Sequence, residues 1–236
     1  MGASVEEISW LGLLLAMVPT VIVIAIMSSW SAGARTGLYA TARMLLQLLL
    51  IGYVLVYIFE ADHPVIIVGV LIVMLAAASW ISIRPVRNKQ PHVFTDALLA
   101  IAVSGVLTLA LVSQVVIGVE PWFSPRYLIP LAGMIFAGAM NTVSLAAERL
   151  HSEQERGVSY REARRVALET AMIPMINSLL AVGLVSLPGM MTGQILSGVS
   201  PLVAAKYQIV VMTMLFGVTG ISAAIYITLS ERGETR

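Results

Sequence analysis

The sequence predicts an all-α integral membrane protein of about seven transmembrane helices, with its N-terminus outside and its C-terminus in the cytoplasm. Composition is the first of three observations behind this. Of 236 residues, 58% are apolar and 11% charged, with a mean hydropathy of +0.91. A soluble domain carries about 45–50% apolar and about 25% charged residues. The second observation is a set of seven runs free of Lys, Arg, Asp and Glu, at 8–27, 44–59, 65–83, 97–119, 127–147, 171–187 and 209–229. A span needs about 20 apolar residues, so the second and sixth runs draw on their flanks, 38–42 and 167–168.

The third observation is where the basic residues fall. With seven spans, one set of loops holds Arg35, Arg43, Arg84, Arg87, Lys89, Arg149, Arg156, Arg161, Arg164, Arg165, Arg232 and Arg236. The other holds Arg126 and Lys206, beside the acidic Glu6, Glu7, Glu60, Asp62 and Glu120. Lys and Arg accumulate in cytoplasmic loops, which sets the expected orientation. No basic segment precedes the first span, which argues against a cleaved signal peptide.

The same arithmetic removes whole classes of function. The chain has no cysteine, so disulfides, thiolate metal sites and iron–sulfur ligation are excluded. An aqueous domain of about 100 residues does not fit between the spans, so nucleotide hydrolysis belongs to another chain. The charge-free runs contain no carboxylate for an intramembrane proton relay. His63, His92 and His151 fall in separate loops, and no nucleophile–base set or phosphate-cradling loop is present.

The fifth span is expected to run past the membrane. The stretch from Glu148 to Arg156 favours helix until Gly157 offers a stop, and a helix from Tyr127 to Arg156 would be about 45 Å long. Ser159 and Glu162 form the pattern of a capping box that starts a returning helix, which presents Arg161, Glu162, Arg164, Arg165 and Glu169. This elbow, 148–169, reads either as a solvated loop whose arginines meet lipid phosphates or as a docking surface for a cytoplasmic partner.

Within the fifth span, Gly133, Ala137, Asn141, Ser144 and Glu148 share one helical face. That face reads as a close-packing seam or as the lining of a polar path. The sixth span carries Pro174 and Asn177-Ser178, and the segment after it, rich in glycine, holds Met190, Met191, Thr192, Gly193 and Gln194. An uncharged loop of this kind is expected to fold into the protein as a broken-helix or re-entrant element. Met190 and Met191 are weak candidates for soft-metal ligands, because methionine also serves as packing filler. Gly217 and Gly220 make the seventh span a second contender for close pairing.

Three stretches are familiar together: Arg43-Met44-Leu45-Leu46-Gln47-Leu48-Leu49-Leu50-Ile51-Gly52, Tyr127-Leu128-Ile129-Pro130-Leu131-Ala132-Gly133-Met134 through Asn141 and Ser144, and Leu187-Pro188-Gly189-Met190-Met191-Thr192-Gly193-Gln194-Ile195-Leu196-Ser197-Gly198 through Tyr207-Gln208. Over nearly its whole length the chain resembles the FetB/YbbM family of ATP-binding-cassette (ABC) transporter permeases, which includes plant aluminium-tolerance relatives. It departs from the family pattern at Phe136-Ala137-Gly138, where Ile-Gly-Asn is expected.

The resemblance implies a permease in the cytoplasmic membrane that exports iron or another metal ion. It implies a separate ABC ATPase subunit that binds the ATP, two copies of each chain, and the elbow as the coupling element. The chain itself is expected to be no enzyme, to bind no cofactor and to meet no nucleic acid. Asn141, Ser144, Thr192 and Gln194 are the expected path residues, and Arg161, Glu162, Arg164 and Arg165 the expected coupling residues. A partner-independent channel or secondary carrier for a small solute is the alternative, and a non-transporting membrane scaffold a third reading.

Overall fold

The computed structural model describes residues 8–60, 63–86 and 91–234. Glu6, Glu7, Asp62, Arg87, Lys89 and Arg236, counted in the charge partition above, lie outside them. Helix is the regular structure throughout, with one isolated bridge between Val182 and Ser186 among the described residues. The chain forms two compact units, Met1–Glu60 and Ala61–Arg236.

In the first unit, Ser9 opens α1 (Trp10–Ala16) by accepting the Gly12 N–H at 3.1 Å. Pro19, in the first turn of α2 (Val18–Ser29), has no N–H to continue α1, so the two helices meet at a break and together make one apolar length, Trp10–Ser29. A tight turn closed by the Ala32 N–H on the Met27 carbonyl, with Gly33 at φ +75°, leads into α3 (Ala34–Phe59). The second span therefore starts earlier than its charge-free run and carries Arg35 and Arg43 within the helix. Ile58 is the buried residue of these three helices, and their other large apolar side chains face outward in all directions. Such surfaces suit lipid or another chain.

The second unit holds α4 (Pro64–Ser82), α5 (Pro91–Ala110) with a wider π-helical turn (Leu111–Ile117), α6 (Pro125–Glu155), α7 (Tyr160–Ala181), α8 (Gly189–Leu196) and α9 (Pro201–Glu234). Helices α6 and α9 pack on each other at the centre, with α4, α5 and α7 around them. Ile101, Ile135, Val143 and Val218 are fully buried at this junction. Small residues let the axes approach: Ala97, Ala100, Ala132 and Ala139 have no exposed surface. A Cβ on Gly105 would come within 2.8 Å of the Phe136 ring, so α5 and α6 touch there in a way only glycine allows.

Among the described residues, six stretches are long and apolar enough to cross a membrane: Trp10–Ser29, Ala34–Phe59, Pro64–Ser82, His92–Ile117, Pro125–Glu155 and Pro201–Glu231. The run at 171–187 departs from expectation. Its helix, α7, begins in the elbow at Tyr160 and stops at Ala181, because Val182 is extended and Gly183 turns the chain at φ +83°. Its uncharged helical part after Glu169 spans only about 18 Å. The chain then continues as the short helix α8, so the helix is broken here as expected, but no residue of α8 is buried and Leu184 and Val185 are exposed, so the expected folding of this segment into the protein is not seen. Helix α5 also begins before its charge-free run and takes Asp96 into its second turn, half-buried, so this span does carry a carboxylate near its end.

Candidate translocation and coupling sites

The elbow is a defined structure. Helix α6 ends in a Schellman motif, with Gly157 at φ +77°, its N–H bonded to the Gln154 carbonyl and the Val158 N–H to the Glu153 carbonyl. Ser159 is the N-cap of α7, but its side chain makes no capping bond. The expected capping box fails because Glu162 turns to Arg165 instead. The Arg165 guanidinium donates to Glu162 at 2.6 and 3.4 Å and to Glu169 at 2.9 Å. The Arg165 hydrogen bonds and charge hold the Glu162 carboxyl below its usual range, and the two carboxylates raise Arg165 further above its own.

The opposite face of this helix is apolar and small. Ala163, Ala167 and Ala171 are buried against Ala146 and Leu150 of α6 and Ala223 and Ile227 of α9. The Tyr160 hydroxyl donates to the Ile227 carbonyl at 2.6 Å, tying the first turn of α7 to α9 across 67 residues of sequence. On the α6 side of the elbow, buried Glu153 faces Arg149 at 2.6 Å and Arg156 at 3.6 Å. Arg161 and Arg164 are exposed and form no ion pair among the described residues. Of the four expected coupling residues, Arg165 and Glu162 thus satisfy each other and two arginines remain free.

The expected path residues divide into two groups. Asn141 is exposed and Ser144 half-buried on α6, with Ala137 and Glu148 exposed one turn to either side. Asn141, Ala137 and Glu148 are thus open to the surface, and Ser144 is partly covered. Gln194 and Met190 lie instead on α8, where they line a cavity of about 370 Å³ with Arg126, Tyr127, Pro130 and Met134 of α6 and Tyr207 of α9. The Gln194 Oε1 is buried without a hydrogen-bond partner among the described residues. Thr192 is turned back on its own helix, donating to the Pro188 carbonyl at 3.2 Å, and neither it nor Met191 reaches this cavity. A second cavity, of about 440 Å³, is lined by Pro188 with Asn177, Ser178, Met175 and Met212.

One stripe of α6 joins the two groups. Tyr127, Pro130, Met134, Ala137, Asn141, Ser144 and Glu148 recur at alternating spacings of three and four, which puts them on a single helical face. The stripe runs from the cavity to the elbow and is exposed or half-buried at every position. Sequence reading found its lower half and missed its upper half. The missed signal was Arg126, one of two basic residues on that side of the charge partition. Met134 and Met190 come together in the cavity, but with a guanidinium and without an imidazole or carboxylate, and no group of three acidic or histidine ligands occurs among the described residues.

Long apolar helices, a core of small residues between them and a polar stripe along a central helix define a multi-pass membrane protein. Residues 10–233 match the family described as "Uncharacterised protein family (UPF0014)", and the chain belongs to it. It is 36% identical over 203 residues to the "UPF0014 membrane protein slr1647" of Synechocystis, covering 79% of this chain and 78% of that one. It is 33% identical over 237 residues to the "Probable iron export permease protein FetB" of Escherichia coli, covering 92% and 90%. It is 30% identical over 221 residues to the "Protein ALUMINUM SENSITIVE 3" of Arabidopsis thaliana, covering 86% and 80%. No solved structure matches the chain.

Proposed function

We propose that this chain is the permease subunit of an ABC exporter for iron or another metal ion, driven by a separate ATPase that docks on the elbow. The carrying observation is the stripe of α6, exposed or half-buried at every position and leading along one rigid helix to the elbow. Asn141 lies about 22 Å along the helix from Arg126, at a depth where an amide without a partner is costly. A second copy of the chain facing this stripe would supply that partner and enclose a path between the two α6 helices. The orientation that suits this puts the N-terminus outside and the elbow in the cytoplasm, in agreement with the positive-inside partition.

Force from the ATPase would enter at Arg161 and Arg164, the free cations of the elbow. It would pass through the alanine seam and the Tyr160–Ile227 bond to α6 and α9 together. The likeness to the E. coli protein, whose name gives iron export, supports the cargo. The test is reconstitution with candidate ABC ATPase subunits from the same organism. Hydrolysis should rise with Fe²⁺ and should lose that response in Arg161→Glu/Arg164→Glu. Metal export that survives deletion of every ABC ATPase candidate would refute the reading in favour of an autonomous channel or carrier.

A further inference from the structure

The cavity between α6, α8 and α9 has an electrostatic character that the metal-export reading does not use. Its fixed charge is the Arg126 guanidinium, and no Asp, Glu or His lines it. The amino ends of three helices reach it: α6 through Arg126 and Tyr127, α8 through Met190, and α9 through Val203. The amino ends of α6 and α9 add partial positive charge in the same sense as Arg126, opposed by the carboxyl end of the π-helical turn at Ile117. A bare metal cation is therefore repelled, and an anion is favoured.

Two further features define the rest of a ligand. Gln194 is a polar side chain of the wall, and its amide can both donate and accept a hydrogen bond. The remaining wall, Met134, Met190, Leu131 and Val203, is apolar. A cavity of about 370 Å³ accommodates a ligand of ordinary small-molecule size.

We propose that this cavity binds an amphipathic anion, with its acid group on Arg126, an adjacent polar group on the Gln194 amide, and its apolar body against Met134, Met190 and Val203. A membrane phospholipid with an anionic headgroup and a free organic acid share this chemistry. The inference concerns binding alone, so its failure would leave the transport reading standing.

The experiment uses the full chain in a neutral detergent with three probes: dioctanoyl phosphatidylglycerol, dansylamino-undecanoate, and dioctanoyl phosphatidylcholine as the zwitterionic control. At least one anionic probe should saturate at one per chain, by native mass spectrometry or dansyl fluorescence. Arg126→Gln should weaken it about tenfold or more, the loss expected for one charge-assisted hydrogen bond. Arg126→Lys should retain most of the binding, and Gln194→Glu, which adds a negative charge of the same size, should weaken it. Saturation by the lipid assigns the membrane as source, and saturation by the free acid alone assigns a soluble ligand. Binding of the control as tight as that of the anions, or anion binding unchanged in Arg126→Gln, would overturn the proposal.

Discussion

Arg165 shows how one side chain changes the meaning of a motif. Its bonds to Glu162 and Glu169 leave no acid free to cap α7. A carboxyl whose pKa is depressed on folding stabilises the fold at pH values above its unfolded pKa, here 4.5. That contribution disappears as the pH falls through the lower, folded value. Glu162 is exposed, so the effect is local and screened by salt. In Arg165→Gln the Glu162 titration midpoint, followed by carboxyl NMR of a labelled sample, should rise toward the ordinary value. An unmoved midpoint would show that Arg165 is not its partner in solution.

Tyr160 carries the second prediction at this scale. Tyr160→Phe removes one hydroxyl bond to the Ile227 carbonyl and should cost about 1 kcal/mol of stability. In the reconstituted complex, metal-stimulated hydrolysis should fall while ATPase binding persists, because the docking arginines are untouched. Loss of ATPase binding would instead assign Tyr160 to the docking surface. Nothing in the sequence announced this bond, since the two partners are 67 residues apart. The arginines could be read from charge placement alone, whereas which of them is free depended on side-chain pairing within the folded elbow.

Among the elements, the contact of α5 with α6 is the most demanding. A methyl on Gly105 would meet the Phe136 ring at 2.8 Å and Ile135 at 3.3 Å, and both neighbours are buried. Gly105→Ala should therefore cost about 1–3 kcal/mol through overpacking, more than the gain of about 1 kcal/mol in helix propensity returns at the upper end of that range. The apparent melting temperature in detergent should fall, and adding Phe136→Leu should restore it in part. A rise in melting temperature for Gly105→Ala would show that the ring yields freely. Helix type was legible here from hydropathy, but α7 was not delimited correctly, because apolar character continues through 182–187 while the backbone turns at Val182 and Gly183.

For the whole molecule, the decisive question is what covers the α6 stripe. The absence of cysteine makes the test clean. Ala137→Cys and Asn141→Cys, oxidised in native membranes, should give a dimer-sized band, while Val143→Cys, fully buried on the opposite face, should not. Cross-linking at Val143 and at neither stripe position would rule out pairing through this face. The Gly217 and Gly220 alternative on α9 gives the matching control.

Hydropathy and the placement of fourteen basic residues determined the membrane class, the expected orientation and the elbow, because the bilayer imposes length and charge rules that act on a linear chain. The likeness of long stretches to a permease family was also visible in the residues themselves. Only the tertiary structure decided which polar groups meet. It joined Gln194 to Arg126, split Thr192 and Met191 from the cavity, aligned Tyr127 with Glu148, and paired Arg165 while leaving Arg161 and Arg164 free. Helical periodicity assigns a residue to a face, but the side chains opposite that face come from helices distant in sequence, and only their packing sets what a polar group finds there.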